Sequence, residues 1–404
     1  MSSAVAVTGL GVVAPHPGDA AAMFAALLRG ESALRQVFPE LPKPAAAASA
    51  EFDVSRWFTK LQLAGVDRVS QLAVAAADLA LRDANLDLTS EACNPERIGV
   101  YVGCGMGGAI ALDTAYRSGG RVPPLTIPAY MPNAPAAHVA MRNKVLGPVL
   151  TYSVACASSA VALAEAAAAI ERGEIDLAIA GGSEALLVPG VVLAWQAMQT
   201  LATFAPGEAA RAVRPFALER TGFALGEGAA FVVLESAEHA QRRGARAHAR
   251  LAGWGLSSDA THLTKPDAPG QARAIRSALR RADLQPRDVG YCNAHGTATR
   301  IGDSVERTAL ATVWGDDLGD LRVSSTKALH GHLLGAAGAL EAVIAVLTLT
   351  EGRLPPNAHG EQADPACAMN LVPAAGALVS SLRAVISNSF AFGGTNAVLL
   401  FTRD

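Results

Sequence analysis

The chain has 404 residues, of which 51% are hydrophobic, 17% charged and 5% aromatic. This length and apolar content suffice for a large buried core and exclude an intrinsically disordered chain. The 33 lysines and arginines against 36 aspartates and glutamates give a formal net charge of −3. That balance argues against a general nucleic-acid-binding protein.

The cysteines and the N-terminus predict a cytoplasmic protein with no membrane partner. The cysteines are widely spaced and include no Cys-x-x-Cys pair: Cys93, Cys104, Cys156, Cys292 and Cys367. This spacing indicates neither a zinc site nor a disulfide framework, as expected in a reducing compartment. No basic region precedes the short apolar run at the N-terminus. The most apolar stretch, residues 154–170, is short, Ala-rich and contains Glu165, so we interpret it as a buried helix.

Strands and helices alternate along the chain. Short β-branched runs predict strands at residues 5–8, 98–102, 177–180, 230–234, 289–292, 322–325, 384–387 and 397–401. Ala- and Leu-rich stretches between them predict helices, including residues 20–28, 70–83, 157–172, 271–282 and 333–349. This alternation is typical of α/β layers whose sheet is covered on both faces.

The two parts of the chain resemble each other. In the first, a strand leads to Cys156 and a small-residue helix; in the second, a strand leads to Lys327, a turn reaches His332, and another small-residue helix follows. A duplicated unit with a site between its halves would explain this order, with the boundary near residue 245. Ordinary self-similarity of alternating α/β chains would also explain it.

Cys156 follows a strand-like run and stands where a helix begins. The free N–H groups and the dipole of a helix N-terminus favour thiolate over thiol, which would make the sulfur nucleophilic. A buried small hydrophobe is the common role of a free cysteine. The residue pattern leaves both roles open.

Two histidines and a glycine-rich turn are the other candidates. His295 and His332 both lie at strand ends, where open α/β sheets collect functional groups. His330 lies two residues before His332 with no carboxylate near in sequence, so no metal site is predicted. Residues 388–396 form a turn that is either an ordinary hairpin loop or the donor of a backbone N–H to an anionic oxygen.

Residues 9–14 match the G-x-G-x-x-A dinucleotide fingerprint after a strand. A helix should begin there, but Pro15 and Pro17 follow at once, and Glu31 lies in a turn and not at a strand end. We therefore expect no nicotinamide cofactor.

Taken together, these motifs resemble the β-ketoacyl-acyl-carrier-protein synthases, the elongating condensing enzymes of fatty acid and polyketide assembly, and most closely their synthase I/II branch. The matching segments are residues 5–13, 127–133, 147–148, 155–158, 221–229, 295–306, 327–332 and 392–396. The resemblance implies the thiolase fold, an α/β fold with two pseudo-symmetric halves in five α-β-α-β-α layers, here residues 1–245 and 246–404. Such proteins are normally dimers.

The resemblance also implies the chemistry. Cys156 would attack the thioester of an acyl donor and form an acyl-enzyme. The backbone N–H groups of Cys156 and Phe392 would form the oxyanion hole. His295 and His332 would support decarboxylation of malonyl-carrier and stabilise the resulting enolate. The reaction would be a decarboxylative Claisen condensation giving 3-oxoacyl-carrier protein, with no cofactor beyond the carrier's phosphopantetheine.

Further roles follow from the same resemblance. Lys327 would act structurally and electrostatically and pair with Glu341, because an unpaired buried ammonium is costly. Asp303 and Glu306 would be supporting residues close to His295.

The resemblance also implies that Phe392 would act as a gate for the acyl chain and that Met106 and Trp195 would line the acyl tunnel. A tunnel that ends on Trp195 should favour short to medium, or flat conjugated, acyl chains. The chain departs from the family pattern at Ala391, Arg300 and His330. We expect His330 to be a near-site or solvated residue without catalytic duty.

The implied partners are acyl carrier protein and a second subunit, either a copy of this chain or a chain-length-factor-like protein. Carrier proteins are acidic, so their docking face should be basic. The candidate docking residues are Arg56, Lys60, Arg68, Arg117 and Arg121.

The alternatives are a thiolase or an initiating synthase, a chain-length factor without a nucleophile, and a plain scaffold protein. The Lys327–His332 spacing argues against the first pair, the intact Cys156 against a chain-length factor, and the combined Cys and His motifs against a scaffold. The acyl chain and the pathway stay open.

Overall fold

The computed structural model describes residues 5–90 and 93–403, and over these residues the chain forms sixteen strands and twelve helices. The strands are β1 (Val5–Val13), β2 (Arg35–Val37), β3 (Ala45–Ala48), β4 (Ile98–Gly103), β5 (Val149–Tyr152), β6 (Leu177–Glu184), β7 (Leu225–Gly226), β8 (Gly228–Ser236), β9 (Ala249–Ser258), β10 (Val289–Asn293), β11 (Arg322–Ser324), β12 (Arg353–Leu354), β13 (Asn370–Leu371), β14 (Ala377–Leu378), β15 (Ala384–Phe390) and β16 (Thr395–Thr402). The helices are α1 (Ala20–Leu28), α2 (Arg68–Asp83), α3 (Ala109–Arg117), α4 (Thr126–Tyr130), α5 (Ala134–Asn143), α6 (Ser158–Glu171), α7 (Pro189–Ala197), α8 (Ala237–Arg242), α9 (Ala268–Ala282), α10 (Arg300–Trp314), α11 (Lys327–His330) and α12 (Ala337–Glu351).

Eleven of these strands form one sheet in the order β13-β11-β10-β15-β16-β9-β1-β8-β6-β4-β5. From the central pair outward, the order β1-β8-β6-β4-β5 in one half is matched by β9-β16-β15-β10-β11 in the other. In each half the two inner pairings are antiparallel and the two outer ones parallel. The halves are therefore pseudo-symmetric, while the boundary at residue 245, between α8 and β9, stays a prediction.

Glycines allow one helix of each half to lie unusually close to its strand. A Cβ at Gly11 in β1 would lie 2.1 Å from the carbonyl oxygen of Ala76 in α2. A Cβ at Gly255 in β9 would lie 1.9 Å from the carbonyl oxygen of Ala274 in α9. Close helix packing therefore explains the glycines that match the dinucleotide fingerprint.

Helices α6 and α12 form the middle layer of the fold. They contact each other, and both contact strands from both halves of the sheet. Helices α2 and α5 cover the outer face of the first half, and α9, with α10 against it, covers the second. Residues Leu334–Glu351, which include α12, are long and apolar enough to span a membrane, but 89% of them are buried inside the protein.

All eight predicted strands and all five predicted helices overlap observed elements. Among the strands of the large sheet, the predictions missed β5 and β13 at its two ends and β9 at its centre. Strand β9 has the sequence ARLAGWGLSS, which contains no β-branched residue.

Candidate active site

Cys156 lies in a tight turn between β5 and α6. The preceding Ala155 has φ +49°, a left-handed conformation that is rare for a residue with a side chain. The Ser158 hydroxyl fixes this turn, because it donates to the Ala155 carbonyl at 2.6 Å and accepts the Val154 N–H at 2.9 Å. The sulfur is thus held at the start of the central helix.

His332 lies beside this sulfur. Its Nε2 is 3.0 Å from the Cys156 Sγ, and its Nδ1 accepts the Leu334 N–H at 3.3 Å. Because Nδ1 is an acceptor, the proton of the neutral imidazole is on Nε2 and points at the sulfur. Leu334 has φ +46° and opens the turn before α12, as Ala155 does before α6.

His295 completes a cluster of three side chains. Its ring centroid is 5.5 Å from that of His332, with the planes at 80°. One ligand atom each from Cys156, His295 and His332 lie within 4.8 Å of one another. Burial lowers the pKa of both histidines well below its usual value, and the charge of Lys327 acts in the same direction. Both rings are therefore neutral hydrogen-bond donors near neutral pH.

Glu306 fixes the backbone that presents His295. Its carboxylate accepts the N–H of His295 at 2.9 Å and of Gly296 at 2.8 Å, and Asn388 Nδ2 donates to it at 3.0 Å. Asp303, one turn earlier on α10, accepts the Phe216 N–H at 2.7 Å instead. The two predicted supporting residues thus hold different segments.

Lys327 and Glu341 form an ion pair with no exposed side-chain surface. The Lys327 ammonium donates to Glu341 Oε1, so Glu341 is the partner that the resemblance assigned to it. Burial raises the pKa of Glu341 to about 7, against the opposing effect of Lys327. The pair places a positive charge near the two histidines.

Burial raises the pKa of the Cys156 thiol to about 12, although Lys327 and the Phe392 N–H act in the opposite direction. The loss of water on burial therefore outweighs the effects that favour the thiolate. Burial thus favours the thiol over the thiolate in the resting site.

A cavity of about 570 Å³ opens onto the cluster and is lined by Cys156 and both histidines. Trp195 lines it too and stacks on Phe392, with centroids 6.1 Å apart and planes at 24°. The Trp195 and Phe223 rings pack edge to face, with centroids 5.4 Å apart. The Phe223 ring packs in the same way against His332, with centroids 5.3 Å apart. Sequence reasoning gave no role to Phe223, although it lies within the 221–229 motif.

Met106 is not among the residues that line this cavity and is 43% exposed. Its role in the acyl tunnel stays a prediction. The Met106 and Gly105 N–H groups are held by the buried carboxylate of Glu184, another residue that sequence reasoning missed.

The three departures from the family pattern lie at or near the site. Ala391 and the exposed Arg300 line the cavity. His330 has no exposed surface, so the solvated alternative for it is wrong.

The predicted docking residues fall into two groups. Arg56, Lys60, Arg117 and Arg121 are exposed, and Arg117 pairs with Asp113 of its own helix. Arg68 instead makes three hydrogen bonds to the buried Glu227, at 2.6–3.1 Å, and one to the Ala50 carbonyl. Its side chain is only 28% exposed. The geometry therefore gives Arg68 an internal ion pair. Two other exposed cations line the cavity, Arg300 and Lys265, of which sequence reasoning missed Lys265.

Comparisons with known proteins cover nearly the whole chain. Residues 2–240 match the family "Beta-ketoacyl synthase, N-terminal domain", and residues 248–361 match "Beta-ketoacyl synthase, C-terminal domain". Nodulation protein E of Rhizobium meliloti is 40% identical over 408 residues, covering 99% of both chains. The 3-oxoacyl-[acyl-carrier-protein] synthase 2 of Staphylococcus aureus strain COL is 34% identical over 410 residues, covering 99% of this chain and 98% of that protein. The solved ishigamide ketosynthase/chain length factor has a TM-score of 0.92 and 31% identity, with 100% of both chains covered.

Proposed function

Because the chain belongs to the β-ketoacyl synthase family, we propose that Cys156 is the nucleophile of a 3-oxoacyl-acyl-carrier-protein synthase and that His295, His332 and Lys327 complete its catalytic set. Enzymes of this kind condense an acyl thioester with malonyl-acyl-carrier protein in fatty acid or polyketide elongation. One observation carries the assignment of roles: a cysteine and two neutral imidazoles converge within 4.8 Å at one cavity.

In the first half-reaction, the Cys156 sulfur attacks the carbonyl carbon of the acyl-carrier thioester. The carbonyl carbon forms a bond to the Cys156 sulfur and loses its bond to the carrier sulfur. The thiol proton of the cysteine ends on the sulfur of the departing carrier. The backbone N–H groups of Cys156 and Phe392 stabilise the oxyanion. The Nε2–H of His332, 3.0 Å from the sulfur, stabilises the negative charge that develops there.

In the second half-reaction, malonyl-carrier loses CO₂ and leaves an enolate. The N–H donors of His295 and His332 stabilise the enolate oxygen, which neutral imidazoles do without acting as acids. The enolate carbon attacks the acyl carbonyl carbon on Cys156, the bond from that carbon to the sulfur breaks, and the 3-oxoacyl-carrier leaves. The thiolate then takes up one proton from solvent. Burial keeps both histidines neutral, the charge of Lys327 adds to this effect, and Lys327 is not among the residues that line the cavity.

The substrates are carried on phosphopantetheine, so acyl carrier protein is the first partner. A second subunit, either another copy or a chain-length-factor-like protein, is the other. Strand β5 is the last strand of the described sheet on its side, and Leu146, Val149 and Leu150 on or beside it are exposed. An exposed edge strand with apolar neighbours favours pairing with another chain.

The division of the chain into halves and its location in the cell belong to the same proposal. The halves of the protein divide at residue 245, in the connection between α8 and β9. The protein acts in the cytoplasm, because its five cysteines are free and buried, which fits a reducing compartment.

The test is condensation by a nucleophile variant. Cys156→Ala should abolish condensation while leaving the fold intact, because one sulfur is removed from a buried, small-residue setting. Cys156→Gln should keep malonyl decarboxylation, since its amide imitates the acyl-enzyme carbonyl at the oxyanion hole. Cys93→Ala, which changes a buried cysteine outside the cavity, is the matched control. Condensation by folded Cys156→Ala above a few per cent of wild type would refute the assignment.

A further inference from the structure

His330 is fully buried, two residues before His332 and three after Lys327. Its Nδ1 is 2.7 Å from the Gly331 carbonyl oxygen, and its Nε2 is 2.9 Å from the Thr326 hydroxyl. A carbonyl oxygen only accepts, so Nδ1 carries the proton and Nε2 accepts from Thr326. Burial lowers the pKa of His330 to about 3, which keeps the ring in this neutral tautomer.

The hydrogen bonds of His330 continue to the strand that presents His295. Asn293, the last residue of β10, donates from Nδ2 to the Thr326 hydroxyl at 3.4 Å. The donors thus run in one direction, from Asn293 to Thr326, from Thr326 to His330, and from His330 to the Gly331 carbonyl. Asn293, Thr326 and His330 each have no exposed surface. If one member of this series of hydrogen bonds is removed, its buried neighbour loses a partner that water does not replace, and this costs stability.

Helix α11, the segment that these hydrogen bonds hold in place, has few hydrogen bonds within itself. Helix α11 is four residues long and ends at Gly331, whose φ is +72°. A helix of one turn has too few internal hydrogen bonds to be stable alone, so its position depends on contacts with the rest of the fold. The same turn presents Lys327 at its start and His332 just after its end.

We propose that His330 is a positioning residue that sets the separation of His295 and His332 through the bridge of Asn293, Thr326 and His330. It does not line the cavity and touches no reacting atom. This inference rests on the proposed roles of the two catalytic histidines. It adds that His330, where the chain departs from the family pattern, contributes to the decarboxylation step by positioning the two catalytic histidines.

The two half-reactions distinguish this role from simple stabilisation of the fold. Acyl transfer to Cys156 uses the sulfur, the N–H groups of the oxyanion hole and the Nε2–H of His332, but it does not use His295. Decarboxylation requires both histidine donors to meet one enolate oxygen, so it is the step that depends on their separation. A loss of structure alone would lower both steps in proportion to the folded fraction.

The experiment compares His330→Leu with His330→Asn. Leucine is similar in size and makes no hydrogen bond, whereas the asparagine amide can replace Nδ1 as donor to the Gly331 carbonyl. Acylation from an acyl-carrier thioester is followed by intact mass, and condensation with malonyl-carrier is followed in the same samples. His330→Leu should lower kcat of condensation about tenfold or more, because small misplacements of catalytic groups are costly. Its acylation rate should fall much less than condensation does, because acylation depends on one of the two histidines, and His330→Asn should recover part of the condensation.

Thr326→Val removes the hydroxyl but keeps the shape of the side chain, and it should give the same split between the two steps. Thr326→Ser, which keeps the hydroxyl, is its control. Unchanged condensation in the folded variants, or an equal loss in both steps, would overturn the proposal. Failure of the proposed function would look different, since Cys156→Ala would then still condense.

Discussion

Replacing Trp195 by alanine should move the preference of the enzyme toward longer acyl donors. The indole lines the cavity and lies between Phe392 and Phe223, so its removal opens the cavity on that side. The two aromatic contacts contribute about 0.5–1.5 kcal/mol each. Because Trp195 is only partly buried, we expect the variant to remain folded.

The size of the shift follows from the space that is released. Each additional methylene that is buried contributes about 0.8 kcal/mol. Two methylenes therefore contribute about 1.6 kcal/mol, which is slightly more than a tenfold change in an equilibrium or rate ratio. In Trp195→Ala, the ratio of kcat/KM for a donor two carbons longer than the wild-type optimum to that for the optimum itself should rise about tenfold.

The assay is elongation of a series of acyl-carrier donors with malonyl-carrier, with products identified by intact mass. Trp195→Phe is the matched control, because it keeps the aromatic stack and releases less space, and its shift should be smaller. A thermal melt checks that each variant is folded. If folded Trp195→Ala keeps the wild-type chain-length profile, Trp195 is packing and this account of the pocket is wrong.

Two further predictions concern charge. Arg121→Glu should raise the KM for the carrier substrate several-fold at low salt, because it reverses the charge of an exposed cation on the predicted docking face. The control is Arg172→Glu, which changes an exposed arginine that pairs with Glu174. Equal KM values for the two variants would contradict the predicted docking face. Lys327→Met should move the acid limb of condensation to higher pH, because the charge of Lys327 lowers the pKa of both catalytic histidines. A pH–rate profile with an unmoved acid limb would show that this charge does not set their protonation.

The positions of the main strands, of the central helices and of the catalytic motifs could be predicted because each has a local signal. Strand β9 could not, because its glycines and Trp254 lack β-branched neighbours, and its place at the centre of the sheet depends on tertiary pairing with β1 and β16. The glycines that conceal this strand are also the reason that α9 can pack against it.

The site shows the same division between local and tertiary information. The sequence places Cys156 at a helix start, but its protonation depends on burial by segments that are distant along the chain. The internal ion pair of Arg68 required Glu227, 159 residues away, to be brought beside it. His330 looked like a departure without a role because its partners, Thr326 and Asn293, are recognisable only once β10 and α11 lie side by side.

The most direct test of the central claim is the site of acylation. The enzyme is incubated with an acyl-carrier thioester, digested, and mapped by mass spectrometry over its five cysteines. Because Cys156 is the cysteine that lines the cavity in the described part of the chain, one acyl group per chain should be found there, and it should disappear with formation of 3-oxoacyl-carrier when malonyl-carrier is added. An acyl group on another residue, or condensation without a thioester at Cys156, would contradict the account.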